Sequence, residues 1–355
     1  MAMDFTFNDD QLRFHDSVRA FLTNQVPPER QRELWAGDSG RSDELWAQLA
    51  ELGLTALNLP EAYGGLGLDE TDWVLPAQEC GYAALAEPLL DTVLVGAPLL
   101  AALGDEQEAL KADWLGRIAE GRARLAVGHP DNLLVADAHV ADLLILGSHD
   151  EVHAVPREAV QLTGNAVLDP ARRLFAVAWT PSVATCVARG EQARALWSAA
   201  FERGALACAA QQLGLARRMV DLAVDYSFER KQFGKPIGSF QAVKHLMANV
   251  AVLIEFAKGP LYRAAQSLAE GHRLAALHVS QARLACAEAS QLAAKNAIQV
   301  HGAMGYTWEV DLQLYMKRAW ALDKVWGDRS LHKARLCQAL FAGAVQAGAG
   351  HTFGR

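Results

Sequence analysis

Two short segments hold residues whose chemistry goes beyond packing. In the first, ERKQFGKPIGSFQ (residues 229–241), two glycines and a proline interrupt a helical pattern and bring Arg230, Lys231, Gln232 and Phe233 together. A planar guanidinium offers paired donors to a pyrophosphate, and an aromatic face beside it can stack on a flat heterocycle, a combination able to hold a dinucleotide. A helix-to-helix loop with ordinary surface charges has the same composition, so the residues alone leave both readings open. In the second, QVHGAMGYTWE (299–309), a helical pattern ends at Gly302 and the backbone is bare again at Gly305. The Gln299 amide beside small residues would let a ligand approach main-chain N–H groups. A glycine-ended helix terminus is the plain alternative.

Other chemistries find less support. The cysteines, Cys80, Cys186, Cys208, Cys286 and Cys337, are odd in number, widely spaced and without a Cys-x-x-Cys pair, which argues against a disulfide framework and against structural zinc. The 11 histidines form no His-x-x-x-His or His-Glu-x-x-His pattern, so no metal is expected. Acidic residues outnumber basic ones, 41 to 33, and no run of Lys or Arg marks a nucleic-acid or anionic-membrane partner. The opening MAMDFTFNDD carries acid groups and no apolar run, so no targeting signal is expected. No stretch reaches the roughly 18 unbroken apolar residues of a membrane span, and a cytoplasmic location is expected.

The elements that must position the two segments follow from periodicity. With 355 residues, 51% of them hydrophobic, the chain has material for two or three domains. Residues 1–125 read as a helical domain. Asn8 with Gln11 forms a capping-box pair, Ser42 opens SDELWAQLAELGL, and NLPEAYGGLGL is a structured loop. Residues 126–190 change to short apolar runs, LLILG (143–147), VHAV (152–155) and LFAVAW (174–179), predicting a small β domain. Residues 191–342 turn Ala-rich, with helical runs at about 191–229, 240–258, 261–301 and 309–341. Leu215, Met219, Leu222 and Tyr226 mark the inner face of the first, and Val243, Met247, Val250 and Ile254 that of the second, predicting a four-helix bundle. Residues 343–355 read as a flexible tail. The fold class is mainly α with a small β domain.

Taken with this helical, β, helical order, the runs PEAYGGLGL, RKQFGKPIGSFQAVKHLMA and AIQVHGAMGYTWE resemble the acyl-CoA dehydrogenase family over nearly the whole chain. The resemblance implies an N-terminal helical domain, a middle β domain and a C-terminal four-helix bundle. It implies FAD, with Arg230 on the pyrophosphate, Gln232, Phe233 and Gln241 against the cofactor, and Gln299, Val300, His301, Gly302 and Ala303 meeting the adenosine half. Family members make these contacts across a subunit interface. An acyl-CoA substrate, an electron-transfer flavoprotein or similar acceptor, and a homo- or heterotetramer with a full-length subunit are implied as partners.

Two departures qualify that picture. The family's Thr-Glu-Pro-x-Ala-Gly-Ser-Asp loop and Trp-Ile-Thr-Asn-Gly turn are not found between Leu125 and Arg189, so the β domain is abbreviated. Where the family keeps its catalytic glutamate, Trp326 stands, and indole cannot take the α-proton of a thioester. Some relatives carry the base on the helix before the arginine run. Glu202 lies near that place, displaced by about two residues, a helical rotation of about 200°. Asp323 and Asp328 are weaker candidates. The pattern resembles the shortened subunit of heterotetrameric acyl-CoA dehydrogenases of bacterial steroid side-chain degradation, which completes the FAD site of a Glu-bearing partner. A self-sufficient homotetramer using Glu202 and a helical scaffold without flavin are the alternatives.

Overall fold

The computed structural model describes residues 6–346 and 348. Its helices and strands run in the order α1 (Asp9–Gln25), α2 (Pro28–Ala36), α3 (Asp43–Glu51), α4 (Glu70–Tyr82), α5 (Ala97–Ala101) and α6 (Glu108–Ala119). Then come β1 (Leu125–Val127), β2 (Val135–Ala136), β3 (Leu143–Ser148), β4 (Glu151–Pro156), β5 (Gln161–Asn165), β6 (Leu174–Ala178) and β7 (Cys186–Arg189). The rest is α7 (Gly190–Glu229), a hairpin of β8 (Lys231–Gln232) and β9 (Lys235–Pro236), and α8 (Gln241–Ala269), α9 (Ala275–His301), α10 (Leu312–Leu322) and α11 (Arg329–Phe341). The fold class is the one the sequence implies. Among the described residues no helix is long and apolar enough to cross a membrane.

The chain divides into two compact units: Ala20–Trp73 with Leu85–Ala207, and the chain up to Arg19 with Val74–Ala84 and everything from Cys208 onward. In the first unit, β1, β3, β4 and β7 form a four-stranded sheet, β1 parallel to β3 and the rest antiparallel, and β2, β6 and β5 form a second, antiparallel sheet. Alternation places Leu144, Leu146 and Val155 in one core with Val135 and Val160, against which Phe175 and Val177 pack. The strands expected at 143–147, 152–155 and 174–179 are β3, β4 and β6. β1 and β2 escape pattern reading because two or three residues carry no period.

Local chemistry accounts for several boundaries. Asn8 and Gln11 exchange two side-chain-to-backbone hydrogen bonds of 2.9 Å each, the expected capping box at the start of α1. The Ser42 hydroxyl accepts from Leu45 N at 3.2 Å and caps α3. A Cβ at Gly65 would lie 2.0 Å from the Leu59 carbonyl oxygen, which is why the 58–68 loop folds on itself only with glycine there.

In the second unit, α4 and α7 cross at backbone contact. A Cβ on Gly81 would meet the Gln211 carbonyl oxygen at 2.1 Å, and one on Gly214 the Gln78 carbonyl oxygen at 1.9 Å. Buried alanines 282, 287, 289, 293, 294 and 297 let α9 approach α8 closely. Glu79, 1% exposed, ties three helices together: its Oε1 lies 2.9 Å from both His15 Nε2 on α1 and Arg217 Nη1 on α7.

Three of the expected helical runs need correction. The break expected near 259–260 lies instead at 270–274, and Gly259 and Pro260 sit inside α8. Pro260 interrupts a helix at a cost of about 3 kcal/mol, but Ala257, Leu261, Ala264 and Ala265 on the same face are buried, and packing overrides propensity. The chain turns only at Gly271, whose φ is 61°. The run expected over 309–341 divides into α10 and α11 around a loop at 323–328, where Trp326 and Gly327 take φ of 53° and 85°. Of the tail expected at 343–355, residues 347 and 349–355 lie outside the described residues.

Candidate functional site

The hairpin after α7 is built to present side chains rather than bury them. Its two turn residues, Phe233 and Gly234, both have positive φ, 52° and 79°, the signature of a two-residue hairpin turn whose twist matches its strands. Glycine accepts that conformation freely, whereas Phe233 pays about 1 kcal/mol for it. Its ring is 91% exposed, touching Phe240 edge-on at 6.1 Å. A strained backbone holding a bare aromatic ring in solvent is costly for a lone subunit and points to a ligand or partner. Gly238 lets the next turn lie against the end of α7, since a Cβ there would meet Ser227 Oγ at 2.7 Å. The side chains of Arg230 and Gln232 are exposed, without a hydrogen-bond or ion-pair partner among the described residues, and exposed Gln241 opens α8.

The second segment begins where α9 ends. Gly302 takes φ 59° and ψ −136°, a region closed to residues with a Cβ, and Gly305 sits where a Cβ would lie 2.8 Å from Ile298 Cγ1. Gln299, Gly302 and Ala303 are exposed. Val300 and His301 are not: both are buried, which leaves their main chain rather than their side chains for a ligand. His301 Nδ1 contacts the Ala297 carbonyl oxygen at 2.8 Å, and burial holds its pKa below the ordinary histidine value. Its ring stacks on Tyr226, centroids 4.4 Å apart and planes 21° apart. Tyr226 lies one helical turn before Arg230, so the two segments named from sequence meet at one end of the bundle. An unpaired guanidinium, a bare aromatic face, side-chain amides and glycine-exposed backbone fit the needs of an FAD pyrophosphate and its flat rings.

The position expected for a catalytic carboxylate lies in the 323–328 loop. Trp326 is buried, 4% exposed, and its backbone is pinned from outside the loop. Arg283 donates from Nη2 to the carbonyl oxygens of Leu322 at 3.0 Å, Val325 at 3.0 Å and Gly327 at 3.1 Å, while its Nη1 bonds the Gln212 amide oxygen. His332 joins them, Nε2 3.0 Å from the Trp326 carbonyl oxygen and Nδ1 3.1 Å from Ser280 Oγ, and burial pushes its pKa down to about 4, so the ring is neutral. Its Nε2–H therefore donates to the Trp326 carbonyl oxygen, and its Nδ1 faces the Ser280 hydroxyl, which also lies 2.9 Å from the Ala276 carbonyl oxygen.

The neighbouring acids have structural partners. Asp328 caps α11 by accepting from Leu331 N at 2.9 Å, a bond that holds its carboxyl below the usual range. Asp323 is buried, with Arg329 Nε 3.3 Å away. Glu202 is a buried carboxylate on the stretch of α7 that belongs to the first unit. Sequence reasoning passed over Arg283. It reads as one more charge on an Ala-rich helix, and only the three carbonyls of a broken downstream helix give it a task.

Residues 8–122 match the family model described as the acyl-CoA dehydrogenase N-terminal domain, and residues 194–341 the model described as the acyl-CoA dehydrogenase C-terminal domain. The chain is 34% identical over 313 residues to the acyl-CoA dehydrogenase IpdE2 of Mycobacterium tuberculosis, covering 88% of this chain and 91% of the relative. To the IpdE2 of Mycolicibacterium smegmatis it is 32% identical over 320 residues, covering 88% and 93%. Two solved structures share the fold. A chain of the ChsE4–ChsE5 complex from Mycobacterium tuberculosis has a TM-score of 0.83 at 24% identity, over 97% of this chain and 100% of that one. Butyryl-CoA dehydrogenase from Megasphaera elsdenii has a TM-score of 0.85 at 21% identity, over 96% and 100%. Family models over well more than half its length, together with relatives above 30% identity over 88% of it, show that this chain belongs to the acyl-CoA dehydrogenase family.

Proposed function

We propose that the chain is one subunit of a flavin-dependent acyl-CoA dehydrogenase and completes the FAD site of a partner subunit that carries the catalytic glutamate. One observation carries this reading: the exposed, strained Phe233 and unpaired Arg230 stand with Gln299–Ala303 at one end of the bundle, and Trp326 stands where the sequence resemblance puts the family's base. The heteromeric ChsE4–ChsE5 complex among similar structures supports the assembly, and the IpdE2 relatives support the reaction class. Exposed Tyr306 (82%) and Trp308 (68%) beside the second segment supply apolar surface for such a partner.

Bound FAD would supply the hydride acceptor for α,β-dehydrogenation of an acyl-CoA thioester, with an electron-transfer flavoprotein or a similar carrier as the next acceptor. In that assembly Arg230 neutralises pyrophosphate charge with paired N–H donors. Phe233 covers an aromatic face of the cofactor and excludes water, and Gln232 and Gln241 supply amide hydrogen bonds. Gln299 and the main chain from Val300 to Ala303 receive the adenosine half. The Trp326 indole is a donor only and cannot accept a proton, so the α-proton goes to a carboxylate elsewhere.

Glu202 is the one buried carboxylate that a self-sufficient homotetramer would call on. Glu202→Gln separates the two readings. In the heteromeric complex the substitution is expected to leave turnover intact. Removal of a general base costs about 10²–10⁴-fold, and a loss of that size with flavin content and assembly unchanged would make this chain the working enzyme.

A further inference from the structure

On the sheet of the first unit, one group of side chains is unrelated to the flavin segments. Glu151 and His153 stand two residues apart on β4 and so share a face, and the register pairs Glu151 with Arg189 and His153 with Cys186 on edge strand β7, across a bulge between Val152 and His153. The bulge brings a carboxylate oxygen, an imidazole nitrogen and a thiol sulfur within 4.8 Å of one another. Pattern reading could not find this trio, because Cys186 lies far downstream of the two β4 residues and only the strand pairing joins them.

Hydrogen bonding around His153 is compatible with a cation at this point. The Thr185 hydroxyl lies 3.2 Å from the Ser182 carbonyl oxygen and 3.0 Å from His153 Nδ1, so it can accept from an Nδ1–H while donating to Ser182. That tautomer turns the Nε2 lone pair toward Glu151 Oε2, 3.4 Å away, where a cation would bridge the two. Arg189 holds positive charge beside them, with Nε 3.1 Å from Cys186 Sγ and 3.5 Å from Glu151 Oε1, but it is an exposed side chain. Trp179 closes one side of the imidazole, ring centroids 4.9 Å apart.

We propose that Glu151, His153 and Cys186 bind one Zn²⁺ or chemically similar divalent transition-metal ion, clamping edge strand β7 to β4. Mixed N, S and O donors in threefold convergence suit tetrahedral zinc, with a water in the fourth position. Thr185 fixes the imidazole tautomer as an outer-shell partner does. Binding replaces the Cys186 S–H bond with a metal–sulfur bond and releases that proton to solvent, and the Arg189 guanidinium leaves the site.

The test is titration of the chelator-treated purified chain with Co²⁺, followed by the near-ultraviolet thiolate-to-cobalt absorption, with Zn²⁺ as competitor. One equivalent of Co²⁺ is expected to give the band and one equivalent of Zn²⁺ to abolish it. Cys186→Ser should remove the band, Glu151→Gln should weaken binding by at least about 100-fold, and Thr185→Val by about 10-fold. Arg189→Ala should tighten binding, because a competing cation is gone. Cys337→Ser, at the other partly exposed thiol, should change nothing. No band with wild type, or a band that survives Cys186→Ser, overturns the proposal. So does Arg189→Ala weakening the metal, which would make the trio an ion-pair cluster served by Arg189.

Discussion

Tyr226 and His301 stack at 4.4 Å and so fasten the last turns of α7 and α9 to each other. Of the residues read from sequence as flavin contacts, Arg230, Gln232 and Phe233 follow the end of α7, Gln299, Val300 and His301 form the last turn of α9, Gly302 and Ala303 follow it, and Gln241 lies at the far end of the hairpin. The stack therefore acts as the platform of the candidate site without having to touch a ligand. Tyr226→Ala should destabilise the chain by about 2 kcal/mol and loosen both segments, whereas Tyr226→Phe should behave as wild type. Chemical denaturation of the two variants checks it.

Arg230→Ala should weaken flavin retention in the assembled complex by about 2–4 kcal/mol, the scale of a lost charge-assisted bidentate contact in a partly desolvated site. Arg230→Lys should recover part of the loss, since an ammonium carries the charge but not the fork. A flavin dissociation constant that does not move in Arg230→Ala would remove Arg230 from the site.

Arg283 holds the carbonyls of Leu322 at the end of α10 and of Val325 and Gly327 in the 323–328 loop, and its neutral replacement orphans them. Arg283→Met should cost about 3 kcal/mol and accelerate amide exchange in the peptide spanning the loop more than elsewhere in the chain. Uniform acceleration would mean that the guanidinium supports the bundle at large and not this loop.

Glu79 sets a pH dependence. Burial pushes its carboxyl up, but the hydrogen bond from His15 and the charge and hydrogen bond of Arg217 outweigh burial and hold the pKa below the usual glutamate value of about 4.5. Its folded pKa is depressed, so its contribution is present above the unfolded value and lost as pH falls through the folded one. Stability should decline in acid below pH 4.5. Glu79→Gln should cost about 3–5 kcal/mol near neutrality and flatten that decline. A Glu79→Gln chain with the wild-type acid profile would contradict the assignment.

What the sequence disclosed was local. Asn8, Gln11 and Ser42 announce helix starts because their partners are three residues away. Leu143–Gly147 announces a strand because its run is longer than a turn and shorter than a helix. The two candidate segments stood out because glycines and an aromatic residue interrupt Ala-rich helices. Pro260 misled because a buried face of four side chains outweighs one missing N–H. Arg283, Glu79 and the Glu151, His153 and Cys186 group were silent because their partners are distant in sequence, and distance between residues on different elements has no periodic signature. The burial of Val300 and His301 was hidden for the same reason, since the stacking partner lies on another helix.

The account rests on the chain being incomplete as a dehydrogenase and complete as a partner. The direct measurement is the flavin content and acyl-CoA-dependent flavin bleaching of the chain purified alone and co-purified with a full-length, glutamate-bearing acyl-CoA dehydrogenase subunit. No bleaching is expected from the chain alone, and the complex is expected to carry one flavin for each pair of chains and to bleach with substrate. One flavin per chain in the isolated protein, bleached by an acyl-CoA without any partner, would contradict the account.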